Sequence, residues 1–175
     1  MFDAFGFVAD CLSHDVEVAC DMKQRGGYER LRSRGTTEPI RFEIYYREAK
    51  GERPMTYELS IALDATGRPF FESEVLKQRR KGQTHGRPYP FLRLAHGKGM
   101  VWAGEEAVEA AGGEEDRAQA PVELTDLRQL GIATLGTLKE HPRIKAFGIF
   151  SRAGICRTFT RMPRAACHRP GHRST

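Results

Sequence analysis

The sequence predicts an α/β or α+β fold: an N-terminal helix, a mainly antiparallel sheet of about five strands and a short helical segment, followed by a tail that fits none of these patterns. Three observations predict it. Apolar residues recur at helical spacing over the first dozen positions, two-residue alternation fills much of 39–77, and a three- to four-residue period returns from Leu124. At 175 residues, with 39% hydrophobic and 29% charged side chains, the chain has the length and composition of one globular domain.

Phe2, Phe5, Val8, Ala9 and Leu12 define one face of an amphipathic helix whose start carries no cap of its own. Ser13 to Cys20 either continues that helix or forms a second turn, and Gly26-Gly27 breaks the pattern. Pro39 to Glu48 then alternates, with Ile40, Phe42, Ile44 and Tyr46 set against Arg41, Glu43, Tyr45 and Arg47, as expected of a half-buried strand. Met55 to Asp64 repeats the alternation after a hairpin turn at 49–52, and Asp64-Ala65-Thr66-Gly67 turns the chain into a third strand, Phe70 to Lys77. Three such strands form a meander with one face on a helix and one in water. Gln78 to Pro88 reads as a loop. Phe91 to Leu94 and Met100 to Trp102, joined by His96-Gly97-Lys98-Gly99, read as a second hairpin, and the acidic, Ala/Gly-rich stretch Glu105 to Gln119 as a solvated linker. Leu124, Leu127, Leu130, Leu135 and Leu138 predict a helix capped by Thr125 or Asp126 and interrupted at His141-Pro142, with another starting at Arg143.

The net charge of +5 is unevenly placed. Residues 148–175 hold six arginines (Arg152, Arg157, Arg161, Arg164, Arg169, Arg173) and no Asp, Glu or Lys, so residues 1–147 carry −1. This tail has neither helical nor strand periodicity, and the division expected is 1–147 as the folded part and 148–175 as a disordered or out-of-frame end. Back-translating Phe150 to Gly171 and reading from the third base gives, with synonymous codons suitably chosen, an aromatic sequence of helix-then-loop type. The apolar opening run contains Asp3 and Asp10 and lacks the basic start and cleavage site of a signal peptide, and no stretch approaches the roughly 18 apolar residues of a membrane span. A soluble, cytoplasmic protein is expected, and with it reduced thiols at Cys11, Cys20, Cys156 and Cys167, with Cys11 buried and inert.

Met1-Phe2-Asp3-Ala4-Phe5-Gly6-Phe7 resembles the continuation of the Walker A loop in RecF/SMC-like AAA-family (ABC-type) P-loop ATPases, where GxxxxGKSN runs into a helix reading roughly Leu-Leu/Phe-Asp-Ala-x-x-Phe. Asp3, Ala4 and Phe7 match. The order that follows is also similar, with a Gly-Gly segment and short basic stretch, an antiparallel sheet, and Leu-rich helices with a His-Pro turn, so the resemblance covers Met1 to about Phe147. It implies a piece of the first lobe of an ATPase whose Walker A lies upstream of Met1 and whose Walker B lies beyond residue 175. The intact family uses ATP and Mg²⁺ and associates two heads, possible as a homodimer. Such a site needs backbone N–H groups around phosphate, a Lys on the terminal phosphates and a Ser/Thr hydroxyl on Mg²⁺. No GxxxxGKS or GxxxxGKT occurs here, and Lys98 in Gly97-Lys98-Gly99 has no neighbouring hydroxyl, so no catalytic, cofactor-binding or metal-binding residue is assigned and no turnover is expected of this chain.

Rival chemistries fit the residues less well. Cys156, Cys167, His168 and His172 are zinc-type ligands at poor spacing, since the two cysteines stand eleven positions apart. The tail arginines with Lys77, Arg79, Arg80 and Lys81 offer a weak, sequence-independent nucleic-acid interface. No nucleophile motif accompanies His14, His85, His96 or His141, and Glu72 and Glu74 read as ordinary carboxylates on one exposed strand face.

Overall fold

The computed structural model describes residues 4–33, 35–47, 53–79, 87–102 and 119–135 and shows an α+β fold in which short helices cover one face of an antiparallel sheet. Helix α1 (Ala4–Cys11) buries Ala4, Phe7, Val8 and Cys11, the i, i+3, i+4, i+7 stripe of an amphipathic helix. Phe7 is fully buried and its ring lies 5.4 Å from that of Phe42. The segment after it is a separate helix, α2 (Val16–Asp21), because the Asp15 side chain accepts the Val18 N–H at 2.8 Å and caps a new start. A 3₁₀ turn (Met22–Gln24) and Gly26-Gly27 then lead into α3 (Tyr28–Leu31). Both glycines take positive φ, 77° and 87°, where a side chain is strained.

The sheet has six strands in chain order: β1 (Ile40–Tyr46), β2 (Met55–Leu63), β3 (Pro69–Gln78), β4 (Tyr89–Ala95), β5 (Lys98–Trp102) and β6 (Gln119–Glu123), every pairing antiparallel. Phe42, Ile44 and Tyr46 oppose Leu59, Tyr57 and Met55, so the alternation seen in the sequence becomes one continuous apolar face. On the other face Glu43 opposes Glu58, and Lys77 from the next strand relieves that repulsion by pairing with Glu58 at 2.5 Å. Two bulges interrupt the ladder. Ser60 pairs with Ser73 but Ile61 with Phe71, so Glu72 is an extra residue on β3. Leu76 pairs with Leu92 but Lys77 with Pro90, leaving Phe91 extra on β4.

The turns follow their residues. The Asp64 carboxylate accepts the N–H groups of Thr66 and Arg68, with Gly67 at φ 79°. His96 (φ 48°) and Gly97 (φ 73°) make a two-residue hairpin turn with both centres left-handed, the arrangement that matches strand twist. Lys98 and Gly99, expected in that turn, belong instead to β5, and Lys98 pairs with Glu123 of β6.

The sheet agrees with the expected count of about five strands, and one helix expectation is corrected. A sixth strand follows the acidic stretch, and Pro121 sits within it without loss because β6 lies at the edge of the described sheet. The leucine-spaced stretch 124–130 is an irregular strap with a turn at 127–128, not a helix, because neighbours capture its backbone. Leu124 N–H bonds Gly97 O (2.8 Å), Phe71 N–H bonds Leu127 O (2.9 Å), Val16 N–H bonds Arg128 O (3.0 Å), and the Asp126 side chain takes the Arg128 N–H. Among the described residues of that stretch, Gly131–Leu135 is helical, as α4. The hairpin turn at 49–52, the loop centre at 80–86, most of the acidic stretch, the helix expected around Leu138 to Phe147 and the tail lie outside the described residues. Among the described residues no helix is long and apolar enough to cross a membrane.

Candidate functional site

Polar chemistry gathers at three places. The first lies against α1, where Asp10 on the last turn is turned inward and almost fully buried. Lys23 Nζ donates to its Oδ1 at 3.0 Å, and Arg25 Nη2 lies 2.6 Å from Oδ2. Arg25 also donates to Ala19 O at 2.8 Å and stacks its guanidinium 5.4 Å from the centre of the Phe7 ring. Burial pushes the Asp10 carboxyl upward, but hydrogen bonds from Lys23 and Arg25, with their charges, outweigh it and leave the group below the ordinary carboxylate value. Lys23 and Gln24, in the turn that leads to Arg25, take left-handed conformations, φ 53° and 61°, that are uncommon for non-glycine residues. Beside this node the Tyr28 hydroxyl donates to Ile61 O at 3.0 Å, a carbonyl at the β2–β3 bulge.

The second place is the middle of the sheet. Glu74 is fully buried on the core face, opposite Leu59 of β2 and Leu94 of β4. Tyr57 donates its O–H to Oε1 at 3.0 Å, Ile132 its N–H to Oε1 at 2.9 Å, and Gly131 its N–H to Oε2 at 2.7 Å, so the carboxylate caps α4 from across the core. Burial pushes its pKa up to about 7, and the Ile132, Gly131 and Tyr57 hydrogen bonds offset only part of that rise. The Tyr57 hydroxyl is in turn pushed well above its ordinary value, by burial first and then by Glu74. A Cβ at Gly131 would stand 2.3 Å from Leu94 Cδ1 and 2.9 Å from Glu74 Oε2, so a larger residue there would have to displace one or both side-chain ends. The expectation that Glu72 and Glu74 share an exposed face is therefore wrong. The bulge at Glu72 resets the alternation, Glu74 joins Phe71 and Leu76 on the core side, and Glu72 bonds the Ser60 hydroxyl at 2.6 Å.

The third place is an open cleft of about 470 Å³ between the β2–β3 turn, the β4–β5 turn and the strap. Phe70 and His96 stack at 5.8 Å along it, and Arg128 Nη2 lies 3.7 Å from Asp64 Oδ2. Asp64 is held at about 2 by the Thr66 hydroxyl and the Arg68 N–H, and its Oδ1 already accepts three donors, which fits a turn-stabilising role.

Residues singled out in the sequence distribute as follows. Cys11 and Cys20 are free and buried. Burial pushes the Cys20 thiol up to about 12 and the Cys11 thiol higher still, so neither is a ready nucleophile. Lys77 is engaged by Glu58, and the Arg79 carbonyl accepts from Arg53 at 2.9 Å. His14 is exposed at the end of α1, and His96 lines the cleft. Arg80, Lys81, His85, His141, Cys156, Cys167, His168 and His172 lie outside the described residues. Among the described residues no three His, Cys, Asp or Glu side chains are grouped to hold a metal ion. Asp10, Arg25, Tyr57 and Glu74 were missed by sequence reasoning. A legible signal existed for Asp10, an acid flanked by Phe7, Val8 and Cys11 on one helical stripe. For Glu74 there was none, because its burial depends on a bulge. Compared with protein families, curated proteins and solved structures, the chain matches none of them.

Proposed function

We propose that residues 1–147 are part of the first lobe of a RecF/SMC-like P-loop ATPase, beginning just after its phosphate-binding loop, and that this chain alone neither binds nor hydrolyses ATP. One observation carries the reading. Ala4 and Phe7, matched positions of the Asp-Ala-x-x-Phe pattern, both point inward from α1, and Phe7 packs on Phe42 of β1. Two of the three residues that carry the resemblance thus dock the helix on an antiparallel sheet, while Asp3 lies outside the described residues. The succession of helix, Gly26-Gly27, antiparallel meander and short helix adds support.

The phosphate cradle supplies most of the affinity in such sites, and the sequence contains no GxxxxGKS or GxxxxGKT. Calorimetry with Mg-ATP should therefore give no binding tighter than millimolar for this chain. The nucleotides preceding the Met1 codon should encode, in frame, a short strand and a GxxxxGKS-type loop, and the chain extended by them should bind Mg-ATP. An upstream stop codon, or saturable micromolar binding by the chain as it stands, would overturn the reading.

A further inference from the structure

Glu74 is a fully buried carboxylate that no lysine, arginine or histidine approaches among the described residues. Among the described residues, its neighbours from β2 are Leu59, directly opposite, and Tyr57, itself next to Cys11 of α1; from β4, Leu94; from α4, the amides of Gly131 and Ile132. On the strap side a cavity of about 10 Å³, room for about one water, adjoins Glu74 and is lined by Leu124, Leu127 and Gln129 together with Glu72, the one other ionisable group there among the described residues. All three donors that reach the carboxylate are neutral. What keeps water off it is the strap and α4, whose backbone meets the sheet through Phe71, Gly97 and Glu74.

We propose that Glu74 makes the docking of residues 124–135 on the sheet proton-dependent: the segment closes over the protonated carboxyl and opens to hydrate the carboxylate when it ionises. The proton is exchanged with solvent and no other reactant is required. Opening would expose the leucines of the strap and the sheet surface around Leu94, so ionisation uncovers an apolar patch. The inference stands on this cluster alone and is independent of the ATPase reading. In the closed form burial holds the proton up to about 7 against an ordinary 4.5, the hydrogen bonds from Ile132, Gly131 and Tyr57 offsetting only part of the rise. By linkage, closure should then weaken by up to about tenfold per pH unit between those values and level off above.

Amide hydrogen exchange on the full chain, with intrinsic rates divided out, tests this between pH 5 and 8. Protection of Gly131 and Ile132 should fall about tenfold per pH unit and flatten near 7, remaining below that of Leu76 in β3 throughout. In Glu74→Gln the protection should not vary with pH. Should that variant fail to fold, Tyr57→Phe serves instead: losing one donor to the carboxylate should move the flattening point to higher pH. Protection of Gly131 and Ile132 that is independent of pH in the unmodified chain, or equal to that of Leu76 at every pH, would overturn the proposal. An unmoved flattening point in Tyr57→Phe would do so as well.

Discussion

Asp10 is an acid on the apolar stripe of a helix, a position tolerable only because two cations come to meet it. Removing its charge leaves Arg25 buried with a carbonyl and a ring face, so Asp10→Asn should destabilise the chain by about 3 kcal/mol, read from denaturant midpoints. The effect also has a pH signature. The folded-state pKa of Asp10 lies below its unfolded value of about 3.8, so its contribution is present above that value and is lost as pH falls through the folded one. The acid limb of a stability profile should be shallower in Asp10→Asn than in the unmodified chain. Tyr28→Phe tests the neighbouring contact. It strips a buried hydroxyl from Ile61 O, and a loss of about 1–2 kcal/mol is expected from thermal or denaturant unfolding.

At the scale of elements, the β4–β5 hairpin depends on a glycine in its strand as well as one in its turn. A Cβ on Gly99 would fall 1.8 Å from the carbonyl oxygen of Arg93, and backbone cannot swing aside as a side chain would. Gly99→Ala should therefore destabilise by about 3 kcal/mol, the upper end for overpacking, and should disturb the β4 and β5 amide resonances before those of β1. Gly67→Ala, at positive φ with open space around it, should lose only about 1 kcal/mol, from backbone strain. The strap is a different kind of element. Its leucines keep a spacing of three, yet sheet and helix neighbours hold its amides and carbonyls, so it stays irregular where the rest of the fold is present.

For the whole molecule, the carboxyl shifts predict where stability peaks. Asp64, held at about 2, and Asp10, also lowered, make stability fall as pH drops below about 4. Glu74 acts in the opposite sense. Its folded-state value of about 7 lies above the ordinary 4.5, so the native state holds a proton that the unfolded chain has released, and stability declines by roughly 3 kcal/mol as pH rises across that interval. Thermal midpoints should therefore be highest near pH 4 to 5, and Glu74→Gln should flatten the decline toward neutrality, although its amide would face the Gly131 N–H as a second donor. A profile that rises steadily from pH 5 to 7 would show that Glu74 is ionised throughout.

How much of this was legible depends on the range of the interactions involved. Local alternation was enough to find β1 and β2, because a strand half in water shows its period in its own residues, and Asp64-Ala65-Thr66-Gly67 announced the turn into β3, whose own period the bulge interrupts. The helix α1 was legible but its buried face only in part: Val8 and Leu12 are buried as read, Phe5 and Ala9 only half so, and Ala4, Phe7 and Cys11 complete the stripe. Tertiary structure alone decided the rest. The bulge at Glu72 sets which face Glu74 takes, the backbone of β3 and α2 holds the Leu124–Leu130 strap out of a helix, and β6 exists because β5 offers it an edge. Each of those outcomes turns on a partner distant in sequence, and a window of residues read alone carries no record of which carbonyl or amide will be waiting across the fold.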